Sequence, residues 1–104
     1  MKKRWLLAAM IALGSCSDPA KSYIAEAEKA VSENLRDPAS AEFRNVSYRQ
    51  ANTGAHVVCG EVNGRNGFGG YAGFQQFIWH SGNVMIDTEP GDLVFTRRRL
   101  ELCI

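Results

Sequence analysis

Between positions 19 and 36 the apolar residues Tyr23, Ile24, Ala27, Val31 and Leu35 recur at three- and four-residue steps, with Lys21, Glu26, Lys29 and Glu33 between them. That spacing gathers them on one stripe and predicts an amphipathic helix from Pro19 to Arg36 that packs its stripe on the core. Asp18-Pro19 reads as a cap and first helical residue. Asp37-Pro38 repeats the signal, stopping the first helix and opening a short helical turn, Pro38 to Phe43, docked by Phe43. Beyond it the period falls toward two. Strands are expected at Asn45 to Gln50, Ala55 to Val62, Tyr71 to Trp79 and Asn83 to Thr88, separated by Asn52-Thr53-Gly54, a glycine-rich stretch from Gly64 to Gly70, and His80-Ser81-Gly82. Short connections make them antiparallel neighbours. The closing segment reads two ways: Asp92 caps a helix with Phe95, Arg99 and Cys103 on one face, or Leu100, Leu102 and Ile104 alternate as a strand, and the helix is favoured. The fold expected is α+β in two layers. An N-terminal helix packs on a three- to four-stranded antiparallel sheet, with the C-terminal segment tied by a disulfide.

The first residues stand apart from this pattern. Met1-Lys2-Lys3-Arg4 is positively charged, and Trp5 to Leu13 is an uncharged run of nine residues, too short to span a bilayer and of the length of a signal peptide. Leu13-Gly14-Ser15-Cys16 resembles the lipobox of bacterial lipoproteins. The resemblance implies a signal peptide over residues 1–15, diacylglycerol on the Cys16 sulfur, cleavage before Cys16, and a single lipid-anchored domain over residues 16–104. Ser17, where lipoproteins kept at the inner membrane often carry Asp, implies sorting to the outer membrane, facing the periplasm. Two or three acyl chains hold a small domain firmly at the bilayer. With Asp18-Pro19 already capping a helix, almost no tether remains.

Charge and composition narrow the classes. Of 104 residues, 45% are hydrophobic and 22% charged, an ordinary globular mixture. Removing Lys2, Lys3 and Arg4 with the signal leaves nine cations against eleven acids, a formal charge of −2, which argues against a nucleic-acid partner. With Cys16 assigned to lipid, Cys59 and Cys103 form an even pair in an oxidising compartment, and a disulfide between them is expected; the competing reading makes Cys59 a nucleophile with His56 or His80 as its base.

Other constellations carry little chemistry. Gly67 to Gly73 joins strand to strand and lacks both a helix N-terminus and the Gly-Lys-Ser/Thr ending, so no nucleotide site is expected. His56 and His80 would need unpatterned help from Glu61 or Asp87 to hold zinc, and Asp87 and Glu89 alternate along a strand end as solvated charges would. No metal, cofactor or catalytic residue is assigned. Tyr71, Phe74, Phe77 and Trp79 are expected to divide between the two sheet faces and mainly pack. Phe68, Tyr71 and Phe74 form the candidate partner contact on the hairpin from Asn63 to Gly73, chiefly through Phe68. Arg97, Arg98 and Arg99 form the one charge run, a solvated helix face or a contact for anionic headgroups.

Asp37-Pro38-Ala39-Ser40-Ala41-Glu42-Phe43-Arg44-Asn45-Val46, Val58-Cys59-Gly60-Glu61-Val62-Asn63, Asn66, Gly69-Gly70-Tyr71, Gly73-Phe74, Phe77 and Cys103 together resemble a group of small exported proteobacterial proteins of uncharacterised function. The resemblance implies one exported α+β domain and the pairing of Cys59 with Cys103, and no activity. Three functional classes follow in order: a membrane-anchored module binding another envelope protein, an envelope accessory contacting lipid or peptidoglycan, and last a small hydrolase.

Overall fold

The structure, a computed structural model, describes residues 18–65, 70, 71 and 73–104. Helix α1, Pro19–Ser32, starts where Asp18 accepts a hydrogen bond from the Ala20 amide at 3.0 Å, with Pro19 where a missing amide costs nothing. It ends four residues before Arg36. Polar side chains bond back to the last turns, Ser32 Oγ to the Glu28 carbonyl and Asn34 Nδ2 to the Ala30 carbonyl, while the chain tightens through Leu35, whose amide donates to Ser32 O. The turn after Asp37 is shorter than expected, a 3-10 turn over Pro38–Ser40. Phe43 does reach the core, but from a strand.

Four strands follow: β1 Glu42–Gln50, β2 His56–Asn63, β3 Gln75–His80 and β4 Asn83–Ile86. They form one antiparallel sheet in the order β1-β2-β3-β4. β1 begins three residues before the sequence pattern indicates, because Glu42 and Phe43 pair with Asn63 and Val62 across β2. Its register shifts between Arg44 and Ser47, where Asn45 adopts φ 54°, a left-handed value that Asn tolerates better than most residues. The β3–β4 turn is the two-residue kind that strand twist favours, with Ser81 and Gly82 both at positive φ. β3 starts at Gln75 and not at Tyr71, which makes only an isolated bridge with Arg65.

Alternation along β2 and β3 divides the core. On one face Val58, Val62, Phe77 and Trp79 meet Ala27 and Val31 of α1, with Phe43 set edge-on to Phe77 at a centroid distance of 5.7 Å. Phe77 and Trp79 share this face because they lie two residues apart on one strand, and both pack in the core as expected. On the other face Val57 and Ile78 meet Phe95 and Leu102 of α2, Leu93–Leu102, which Asp92 caps through a 3.0 Å bond from the Val94 amide. The closing segment is thus a helix, and the fold is α+β as expected. It adds a layer to the two anticipated: α1 and α2 lie on opposite faces of the sheet.

Candidate functional site

Cys59 on the central strand β2 is bonded to Cys103, the residue capping α2, with 6.0 Å between their Cα atoms. This removes the alternative of Cys59 as a nucleophile, since the thiol is consumed. His56 is engaged elsewhere: its Nδ1 shares a 2.6 Å hydrogen bond with the Tyr48 hydroxyl, and its ring stacks on Tyr23 at 3.9 Å between centroids. Among the described residues no three His, Cys, Asp or Glu side chains come together as a cation would require.

The two longest segments of the sequence resemblance meet across β1 and β2. The irregularity at Asn45 turns its side chain toward β2, where Nδ2 donates to Glu61 Oε1 at 2.7 Å, and Arg44 closes on the same carboxylate through Nε at 3.1 Å. Arg44 and Asn45 hold the Glu61 carboxyl below the ordinary glutamate range, and the more distant charge of Arg99 acts the same way. The Arg44 guanidinium also lies over the Phe74 ring, 3.8 Å from its centroid, which accounts for Phe74 being half-buried.

Beside this cluster the 3-10 turn receives the long hairpin. Ser40 Oγ accepts from the Arg65 amide at 2.8 Å and donates to the Asp37 carbonyl at 2.7 Å, while the Tyr71 hydroxyl donates to the Ser40 carbonyl at 3.3 Å. Asn63 steadies the returning arm, its Oδ1 accepting from the Gly73 amide at 3.1 Å. Tyr71 nevertheless keeps 43% of its surface exposed, with Arg65 above its ring, and borders a cleft of about 340 Å³ lined by Asp37, Ser40, Glu42 and Arg65. Of the three ring residues expected on this hairpin, Tyr71 is open and Phe74 is held under Arg44. Phe68 lies outside the described residues, as does Cys16.

No family model, curated protein or solved structure matches the chain. Its surfaces must speak through their own chemistry.

The arginine run does not form one patch, since successive residues on a helix point about 100° apart. Arg97 faces solvent; Arg98 pairs with Glu101 at 3.5 Å; Arg99 turns into a cleft of about 240 Å³ beside the disulfide, lined also by Asn45, Ser47, Glu61 and Gln76. Tyr71 and Phe74 are held instead by the Ser40 carbonyl and by Arg44. Ser40, Arg44, Asn45 and Arg65 were not singled out as site residues from the sequence. Only the register of β1 on β2 and the docking of the hairpin on the 3-10 turn bring them together. No helix among the described residues is long and apolar enough to cross a membrane.

Proposed function

We propose that the chain is a lipoprotein of the bacterial cell envelope, acylated at Cys16 and facing the periplasm from the outer membrane, whose domain binds another envelope protein through the surface around Tyr71. The observation that carries this reading is the disulfide: it accounts for Cys59 and Cys103 in a single bond and leaves Cys16, directly after Leu13-Gly14-Ser15, as the odd cysteine. Disulfides persist in oxidising compartments, so the bond and the lipobox agree on export. The resemblance to small exported proteobacterial proteins points the same way. Binding is favoured over catalysis because Tyr71 is a partly exposed aromatic ring beside a cleft, tied through its hydroxyl to the 3-10 turn, and such rings commonly dominate protein contacts.

The experiment combines acyl labelling with affinity capture. Cys16→Ala should abolish incorporation of labelled fatty acid; persistent incorporation would remove the anchor. Tyr71→Ala should lower capture of the partner from solubilised envelopes about tenfold, the loss expected for roughly 1.4 kcal/mol of aromatic contact. Phe68→Ser should act likewise. Undiminished capture by stable variants of both would move the binding surface elsewhere.

A further inference from the structure

Besides holding α2 on the sheet, the disulfide fixes which side chains face each other in the cleft next to it. Cys59 and Glu61 lie two residues apart on β2 and so share a sheet face, while Arg99 and the capping residue Cys103 lie four apart and so share a helix face. Bonding Cys59 to Cys103 therefore brings Arg99 over the same face of β2 that carries Glu61. Both charges line the cleft of about 240 Å³, with Asn45 and Ser47 entering from β1 and Gln76 from β3.

The two charges share this space without meeting. Arg44 pairs directly with Glu61 and Arg98 with Glu101, whereas Arg99 acts on Glu61 only through its field. The half-buried Arg99 guanidinium thus has five N–H donors and no side-chain acceptor among the described residues. Glu61 has acceptor capacity to spare. Its Oε1 takes the short bonds from Arg44 Nε and Asn45 Nδ2, but Oε2 holds a single long one, 3.4 Å from Arg44.

We propose that this cleft binds a small zwitterion of the amino-acid class, a free amino acid or a dipeptide, with its carboxylate on Arg99 and its ammonium on Glu61. Charge selects this ligand. A simple anion would be drawn to Arg99 and repelled by Glu61, a simple cation the reverse, and an apolar molecule would leave both groups desolvated and unpaired. Only a molecule carrying both signs satisfies the two together, and the planar fork of Arg99 suits a carboxylate. Ser47 and Gln76 offer a hydroxyl and an amide for the remaining polar atoms. Size agrees, since the volume falls below the roughly 300–1,000 Å³ of clefts that take drug-sized ligands. Because Arg99 is held one helical turn from a covalent bond to the sheet, little ordering remains to be done on binding. Neither acylation of Cys16 nor the surface around Tyr71 enters this proposal.

The test titrates the full chain, purified in detergent with its disulfide intact, with alanine and with alanyl-alanine, and follows binding by saturation-transfer NMR of the ligand. At least one of the two is expected to bind. Alanyl-alaninamide, which lacks the carboxylate, and N-acetyl-alanyl-alanine, which lacks the ammonium, should each bind about tenfold more weakly or not at all, because each leaves one charge of the site unpaired. Arg99→Gln and Glu61→Gln should weaken binding of the zwitterion to the same degree, and Lys29→Gln on α1 should not change it. Circular dichroism melting reports whether each variant is folded, and if Glu61→Gln is not, Arg99→Gln and the two blocked peptides decide alone. Binding of neither probe at millimolar concentration, blocked peptides that bind as well as the zwitterion, binding indifferent to Arg99→Gln, or a preference for glycerophosphoethanolamine, the zwitterion of a lipid headgroup, would each overturn the proposal.

Discussion

Glu61 faces two donors that the chain brings to it by an irregularity in β1, and its charge is stabilised by them. A carboxyl whose ionisation is easier in the folded state contributes stability that is present above the ordinary glutamate range and is lost as the pH falls through it. Urea unfolding midpoints of the wild type should therefore drop between about pH 5 and pH 3 by more than those of Glu61→Gln, which lacks the titrating group. Equal pH dependence in the two proteins would show that the carboxylate is as well solvated unfolded as folded. Gly60, its neighbour, faces the other side of the sheet, where an added Cβ would come within 2.9 Å of Val46 Cγ2 and 3.0 Å of the Val46 backbone. The backbone cannot step aside as a side-chain tip can. Gly60→Ala should cost about 1–3 kcal/mol by crowding Val46 and Phe77, measurable by thermal unfolding. Neither role was legible beforehand: Glu61 read only as an unpatterned carboxylate, because its partners depend on a register shift that periodicity does not reveal.

The elements themselves were legible where one face alternated with another. α1, β2 and α2 lie close to the positions their apolar spacing and caps predict, since Asp18-Pro19 and Asp92 start helices by local bonds that need no tertiary context. Tyr71 and Phe74 misled because aromatic residues are common in strands, whereas here one is tied by its hydroxyl to Ser40 and the other lies under Arg44. The third layer was hidden for a different reason. Apolar residues on both sides of α2 blur the period that would have announced a helix covering a sheet. Its attachment is covalent as well as apolar, and the disulfide closes a loop between positions 44 apart. Cys59→Ser or Cys103→Ser should lower the melting temperature steeply, the chain-entropy model assigning the bond about 4 kcal/mol. A small shift would mean that Phe95 and Leu102 suffice to hold α2 on the sheet.

At the level of the whole molecule, the disulfide turns everything from Cys59 to Cys103 into a ring that contains β3, β4, α2 and the long hairpin, while α1 and β1 form the stem leading back to Cys16. A cut within the ring opens it without freeing a fragment; a cut in the stem detaches the ring from whatever holds the N-terminus, apart from the pairing of β1 with β2. Nicking after the exposed Arg65 should give one band on a non-reducing gel and two after reduction, whereas nicking after Arg49, followed by denaturation, should give two bands in either condition. This difference decides what an encounter with a protease leaves covalently joined. In the acylated form proposed above, the hairpin that presents Tyr71 could be severed once and keep its covalent link to Cys16, and the stretch between Cys16 and Cys59 is where a single cleavage would leave only the pairing and packing of the stem to hold the ring.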